Sequence, residues 1–164
     1  MTGAGGELRF LCDEMLRGLG RWLRAAGYDT AIAAGGLPDR ALATLCAREH
    51  RVLLTKDRRL AATVEGTAPA VLVPGNGVDE AARALRIAFD IDWLHAPFTR
   101  CIVDNRPLEA APPSSVTLVP AKSRAAGGPL RVCPACGRLY WSGGHVRRMQ
   151  RRLVAWQREV SAPG

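Results

Sequence analysis

Short apolar runs and stretches of helical periodicity alternate through the first half of the chain. Residues 8–12, 30–33, 52–55 and 70–73 are mostly apolar, too short for helices and bounded by polar, Gly or Pro positions, so they predict four strands. Between the first two, Met15, Leu16, Leu19, Trp22, Leu23 and Ala26 recur at helical spacing, and Gly27 stops the helix. Ala41, Leu42, Leu45 and Cys46 repeat the pattern behind Pro38, and a further helix is predicted over 78–89. Alternation of this kind predicts an α/β fold, a parallel sheet with helices on both faces. Beyond Phe89 the pattern changes. Residues 107–129 are rich in Pro, Ser, Ala and Gly and hold only the short apolar run 116–119, which predicts a linker or mobile loop, and a helix is expected over 145–160. The expected organisation is a main domain over 1–95 and an appended segment over 96–164.

Three aspartates change the picture. Asp13, Asp39 and Asp57 each follow one of the strand-like runs. Side chains leaving the ends of parallel strands converge on one crevice, so this placement predicts a site for a hard cation, Mg²⁺ or Mn²⁺, suited to phosphodiester hydrolysis. Helix capping is the plainer alternative. Asp39 stands in a first helical turn, where a carboxylate stabilises the helix by roughly 0.3–1 kcal/mol. Asp13 and Asp57 directly follow the strands expected at the sheet centre, where capping by both would be a coincidence. Glu14 and Asp79 are reserve acids with ordinary structural roles, the first beside Asp13 and the second opening a helix.

The chain carries a net charge of +8 and a sequence pI near 10.1, which points to a polyanionic partner such as nucleic acid. Arg17, Arg21 and Arg24 form one helical stripe, and Lys56, Arg58 and Arg59 surround Asp57. Arg147, Arg148, Arg151, Arg152 and Arg158 follow the aromatic pair Tyr140-Trp141, a combination suited to single-stranded or structured RNA. Solvated helix faces give the same arginine spacing, and Trp141, Leu153 and Trp156 also suit burial of the last helix against the main domain. No run of about 18 apolar residues is present and no basic-then-apolar leader opens the chain, so a cytoplasmic location is expected.

Five cysteines, an odd number, suit a reducing compartment. Cys12 and Cys46 sit in apolar runs and are expected as buried thiols. Cys133-Pro-Ala-Cys136-Gly137 is a knuckle able to grip a tetrahedral Zn²⁺, and Cys101-Ile-Val-Asp104 has the same spacing with a carboxylate in the second place. His50, His95 and His145 are scattered, with no evident Ser-His-Asp or Cys-His arrangement. The Gly75-Asn76-Gly77 turn lacks the rest of a dinucleotide fingerprint or P-loop, which disfavours a nucleotide-cofactor enzyme.

Three blocks, FLCDEMLRGLGRWLRAAGYDT, RVLLTKDRRL and CPACGRLYWSGGHVRRM, together resemble the PIN-like ribonuclease family named after the C-terminal domain of the Mut-seven exonuclease. The resemblance implies a PIN-type three-layer α/β/α fold, a following zinc ribbon, ribonuclease activity, metal-binding roles for Asp13, Asp39 and Asp57, and zinc ligation by Cys101, Cys133 and Cys136; the expected partner is RNA, with tRNA or another structured RNA as a candidate. Members usually have cysteine where this chain has Asp104, whose oxygen could still reach zinc at about 2.0–2.2 Å; His145 is the alternative fourth ligand. Some members carry an N-terminal ubiquitin-like domain, which is not expected in the few residues before the first block. Two other readings remain: a non-catalytic RNA-binding module, and a toxin- or adaptor-type protein whose site is masked by a partner.

Overall fold

Phe10, Leu11 and Cys12 form a central strand because both of its faces find apolar partners. A computed structural model describes residues 7–159 of the protein. Four parallel strands, β1 (Arg9–Cys12), β2 (Asp29–Ile32), β3 (Val52–Thr55) and β4 (Ala70–Leu72), form a sheet in the order β2-β1-β3-β4. Leu11 and Leu53 face one side, where they cluster with Leu42 and Cys46 of α2 (Asp39–Glu49) and with Leu60 and Val64 of α3 (Arg58–Glu65). Phe10 faces the other. Its ring meets Tyr28 and Phe89 edge-on at 5.8 and 6.1 Å, the latter at the end of α4 (Val78–Phe89). Helix α1 (Arg17–Ala25) approaches β1 and β2 closely at Gly20, where a Cβ would lie 2.8 Å from Ile32 and 3.4 Å from Cys12 Sγ. The expected α/β class with helices flanking a parallel sheet is therefore present.

Arg51 fixes the edge of this sheet opposite the aspartates. The guanidinium, 6% exposed, donates to the Phe10 carbonyl at 3.1 Å, to Asp29 Oδ1 at 2.8 Å and to Glu49 Oε2 at 2.7 Å, while Arg9 holds Asp29 Oδ2 at 2.7 Å. Burial works against the charge of Arg51, yet its bonds to Asp29 and Glu49 outweigh burial and hold its pKa above the ordinary value.

Two compact units divide the chain, one comprising residues up to Leu23 and Tyr28–Ile91, the other Arg24–Gly27 and the residues from Asp92 onward. In the second, β5 (Glu109–Ala110), β6 (Arg131–Val132) and β7 (Leu139–Tyr140) make a small antiparallel sheet. The stretch 107–129 is not a featureless linker. It contains β5, a 3₁₀ turn (Pro113–Leu118) and α5 (Ala121–Ala125), and it buries Val119. The prolines that suggested a loop stand immediately before these turns, where a fixed φ favours helical initiation. Helix α6 (Gly144–Arg158) buries Met149, Leu153 and Trp156, and the Trp156 ring packs on Trp93 at 4.9 Å within the same unit. The expected end of this helix, residue 160, lies outside the described residues. Among the described residues no helix is long and apolar enough to cross a membrane.

Candidate functional site

The strand order reverses direction between β1 and β3, so the crevice outside their carboxyl ends is the topological switch point of the sheet, where open α/β folds place ligands. Asp13 and Asp57 leave these two neighbouring strands. With Asp39, at the start of α2, and with Glu14, they line one cavity of about 160 Å³ rimmed by Met15 and Leu37. Asp79 does not line it.

Each acid is held differently. Asp13 is buried at 6% exposure; its Oδ1 accepts from the Leu16 amide at 3.1 Å, and its Oδ2 accepts from the Thr55 hydroxyl and, at 3.4 Å, from the Lys56 amide. Thr55 in turn accepts from the Asp57 amide at 3.0 Å, linking the two strand ends. Thr55 is the member of this network that sequence reasoning missed. As the last residue of an apolar strand it carried a burial signal but no chemical one. Asp57 caps α3, its Oδ1 accepting from Arg59 at 2.7 Å and Leu60 at 3.2 Å. Asp39 is exposed and gives α2 no side-chain cap.

Capping thus uses part, not all, of the donor capacity. A carboxylate offers about four lone-pair sites, and the protein bonds of Asp57 fall on Oδ1. Oxygen donors of this kind fit Mg²⁺ or Mn²⁺ in type. The three carboxylates share a cavity without closing to 4.8 Å of one another.

The basic residues predicted around this site separate. Arg17, Arg21, Arg58 and Arg59 are exposed. The Lys56 ammonium donates to the Gly75 carbonyl at 2.7 Å. Arg24 does not belong to an exposed stripe: it is 6% exposed and donates to the carbonyls of Ile102 and Val103 at 3.1 and 2.7 Å, bracing the turn that leads to Asp104. Helical spacing put it in line with Arg17 and Arg21, but the spacing cannot tell a solvent-facing turn from one that packs. On α6, Arg147, Arg148, Arg151 and Arg152 are exposed, and Arg152 lies over the Trp156 ring at 5.3 Å.

The second unit carries a closed cluster. Cys101, Asp104, Cys133 and Cys136 place one ligand atom each within 4.8 Å of the others. Two matching knuckles build it. In one, Asn105 donates its amide to the Cys101 carbonyl at 2.9 Å, with φ of 65°; in the other, Gly137 does the same to Cys133 at 2.9 Å, with φ of 71°. Asp104 therefore stands where a second knuckle cysteine would. The Sγ atoms of Cys101 and Cys133 lie 3.7 and 3.4 Å from Asp104 Oδ2, and Cys101 and Cys136 are 3.9 Å apart. Tetrahedral zinc with sulfur at about 2.3 Å and oxygen at about 2.1 Å requires edges of about 3.6–3.8 Å. His145 is not one of the four.

Charge in the cluster follows from these contacts. The Asp104 carboxylate pushes the adjacent Cys136 thiol up to about 11, and thiol hydrogen bonds from Cys136 and Cys133 hold Asp104 below the usual carboxylate value. Burial opposes ionisation of Cys101, but bonds from the Tyr140 hydroxyl (3.1 Å) and the Asp104 and Val103 amides outweigh it, and the thiol lies below its ordinary value. Of the remaining cysteines, Cys12 and Cys46 are buried as expected, and burial pushes Cys46 up to about 11.

Fold and site together define an α/β protein with acids on one cavity at the strand ends and a Cys/Asp cluster whose geometry is compatible with zinc. Residues 8–153 match the Mut7-C RNAse domain, and the chain belongs to that family, which is one of nuclease-type domains. No curated protein and no solved structure gives a significant match.

Proposed function

We propose that the protein is a metal-dependent ribonuclease of PIN-like type that hydrolyses RNA phosphodiester bonds at Asp13, Asp39 and Asp57. The observation that carries this reading is the convergence of the three acids on one cavity at the switch point of the sheet. Asp13, immobilised by Thr55 and the Leu16 amide, is the fixed anchor of the set. Asp39 and the Oδ2 of Asp57 supply the adaptable oxygens. Together these residues would hold Mg²⁺ or Mn²⁺, which when bound supplies water activation and charge neutralisation at the leaving oxygen. Exposed Arg17, Arg21, Arg58 and Arg59 attract the phosphates of the substrate, and the arginines of α6 add affinity for RNA.

Cys101, Asp104, Cys133 and Cys136 hold zinc as a structural ion, since four protein ligands leave no position for substrate. The cytoplasm, where RNA is plentiful and thiols stay reduced, is the proposed location. A non-catalytic RNA-binding role is the second reading, favoured by the capping bonds of Asp13 and Asp57, which give both residues a structural task.

Incubation of the purified protein with labelled tRNA, unstructured RNA and single-stranded DNA, with and without added Mn²⁺, tests the proposal. Cleavage of RNA that depends on the added ion supports it. Binding of both RNAs and of the DNA with no cleavage at any ion concentration favours the second reading.

A further inference from the structure

The second unit holds two concavities that Cys101, Asp104, Cys133 and Cys136 do not line. The two cavities, of about 390 and 300 Å³, share a wall made by Phe98, Tyr140, Trp141 and Val146. Both fall in the size range of small-molecule sites. Their lining is mostly apolar, with arginines at the edge: Arg138 beside the first and Arg147 beside the second. Trp141 is half-buried rather than folded into the core, unlike Trp93 and Trp156, which are buried. Its ring is seated on the start of α6, where a Cβ on Gly143 would lie 2.6 Å from Nε1, so glycine is needed for the indole to lie there. A fixed aromatic wall next to arginine forks matches the chemistry of a base and its flanking phosphates: stacking is tolerant of sequence because every base has a π-face, and guanidinium groups bind the phosphates.

We infer that this wall is a nucleobase-binding site of the C-terminal unit, which holds one or more unpaired bases of a single-stranded RNA segment against Trp141 while Arg138 and Arg147 hold the adjoining phosphates. The inference rests on the proposal that RNA is the substrate, and it extends that proposal from a basic surface to a defined base-stacking pocket. Charge decides the occupant. An apolar cavity alone would equally suit a hydrophobic peptide, but a pocket edged by two exposed arginines in a chain of net charge +8 favours a polyanion that also carries flat apolar groups.

The test is fluorescence anisotropy with labelled single-stranded RNA of roughly eight nucleotides and an abasic oligomer of the same length. The full chain is used with no added divalent cation and no chelator, so that cleavage is not supported and the Cys101 cluster is left alone, and the RNA is checked on a gel afterwards. Trp141→Ala is expected to weaken binding of the RNA about tenfold or more and to leave the abasic oligomer unaffected. Trp141→Phe should retain most of the affinity. Val146→Phe, which fills the cavities from α6 without removing the indole, should reproduce the loss. RNA binding within about twofold of wild type in both Trp141→Ala and Val146→Phe overturns the inference, as does an equal loss for the abasic oligomer. Cleavage by these same proteins after addition of Mn²⁺ is scored separately. Absence of cleavage in wild type would count against the ribonuclease proposal while leaving the base-binding result intact.

Discussion

Asp57 serves two tasks that substitution can pull apart. Its Oδ1 caps α3 through Arg59 and Leu60, and the proposed function requires the carboxylate as a cation ligand. Asparagine is as good an N-cap as aspartate, so Asp57→Asn keeps both amide bonds and loses only the attraction between a full charge and the helix dipole, about 0.5 kcal/mol at this exposed position. Alanine removes the cap as well, and Asp57→Ala should cost about 1–1.5 kcal/mol. At roughly 2–4 °C per kcal/mol for a chain of this size, the shifts in Tm are about 1–2 °C for asparagine and about 2–6 °C for alanine. Cleavage should not follow this order. If the carboxylate binds the catalytic ion, both variants lose activity by about a hundredfold, equivalent to about 2.7 kcal/mol in the transition state. The assay pairs thermal unfolding by circular dichroism with initial rates of Mn²⁺-supported RNA cleavage. Asp57→Asn with at least half the wild-type rate, alongside the expected stability order, would refute the reasoning and leave Asp57 a helix cap.

Arg51→Met should destabilise the fold by about 3 kcal/mol, measured by urea unfolding, because it leaves one oxygen each of Glu49 and Asp29 without their buried partner; Arg48 and Arg9 still hold the other oxygens. A loss under about 1 kcal/mol would show that this network adds little. Protein purified without chelator should contain about one zinc per chain, lost in Cys133→Ser and kept in Asp104→Cys, by elemental analysis. Zinc-free wild type would refute this ligand set. Because zinc competes with protons on Cys136, whose thiol lies at about 11, zinc affinity should rise with pH across the neutral range, and a flat profile would argue against ligation by that thiol. Replacing Arg147, Arg148, Arg151 and Arg152 by Gln should flatten the salt dependence of RNA affinity by up to about 3 in log K per log salt, and an unchanged slope would place the contact surface elsewhere.

The sheet was legible because its strands are short apolar runs that end on charged residues. Residues 52–55 are buried throughout, so no alternation was needed to recognise them, and the polar residues at either end fixed their limits. Helix α3 was not predicted. Leu60, Ala61 and Val64 give only one apolar turn, and that signal is weak until β4 supplies something to pack against. Asp13, Asp39 and Asp57 were singled out from position alone, and the structure places all three on one cavity. Thr55 and Arg24 escaped for a common reason. Their roles depend on which partner lies across space, Asp13 for one and the carbonyls of Ile102 and Val103 for the other, and a single sequence does not carry that pairing. The fourth knuckle position was legible from spacing; that Asp104 and not His145 fills it came only from the paired turns at Asn105 and Gly137.

The most direct test of the acidic site is the rate of Mn²⁺-supported RNA cleavage by Asp13→Asn, purified in parallel with wild type so that any contaminating nuclease is common to both. Asparagine can keep the bond from Leu16 and meet Thr55 through its amide, so about 1–2 kcal/mol of stability is lost and the fold persists at assay temperature. A fall of at least about a hundredfold in cleavage is expected, with circular dichroism unchanged. A rate within about twofold of wild type would contradict it.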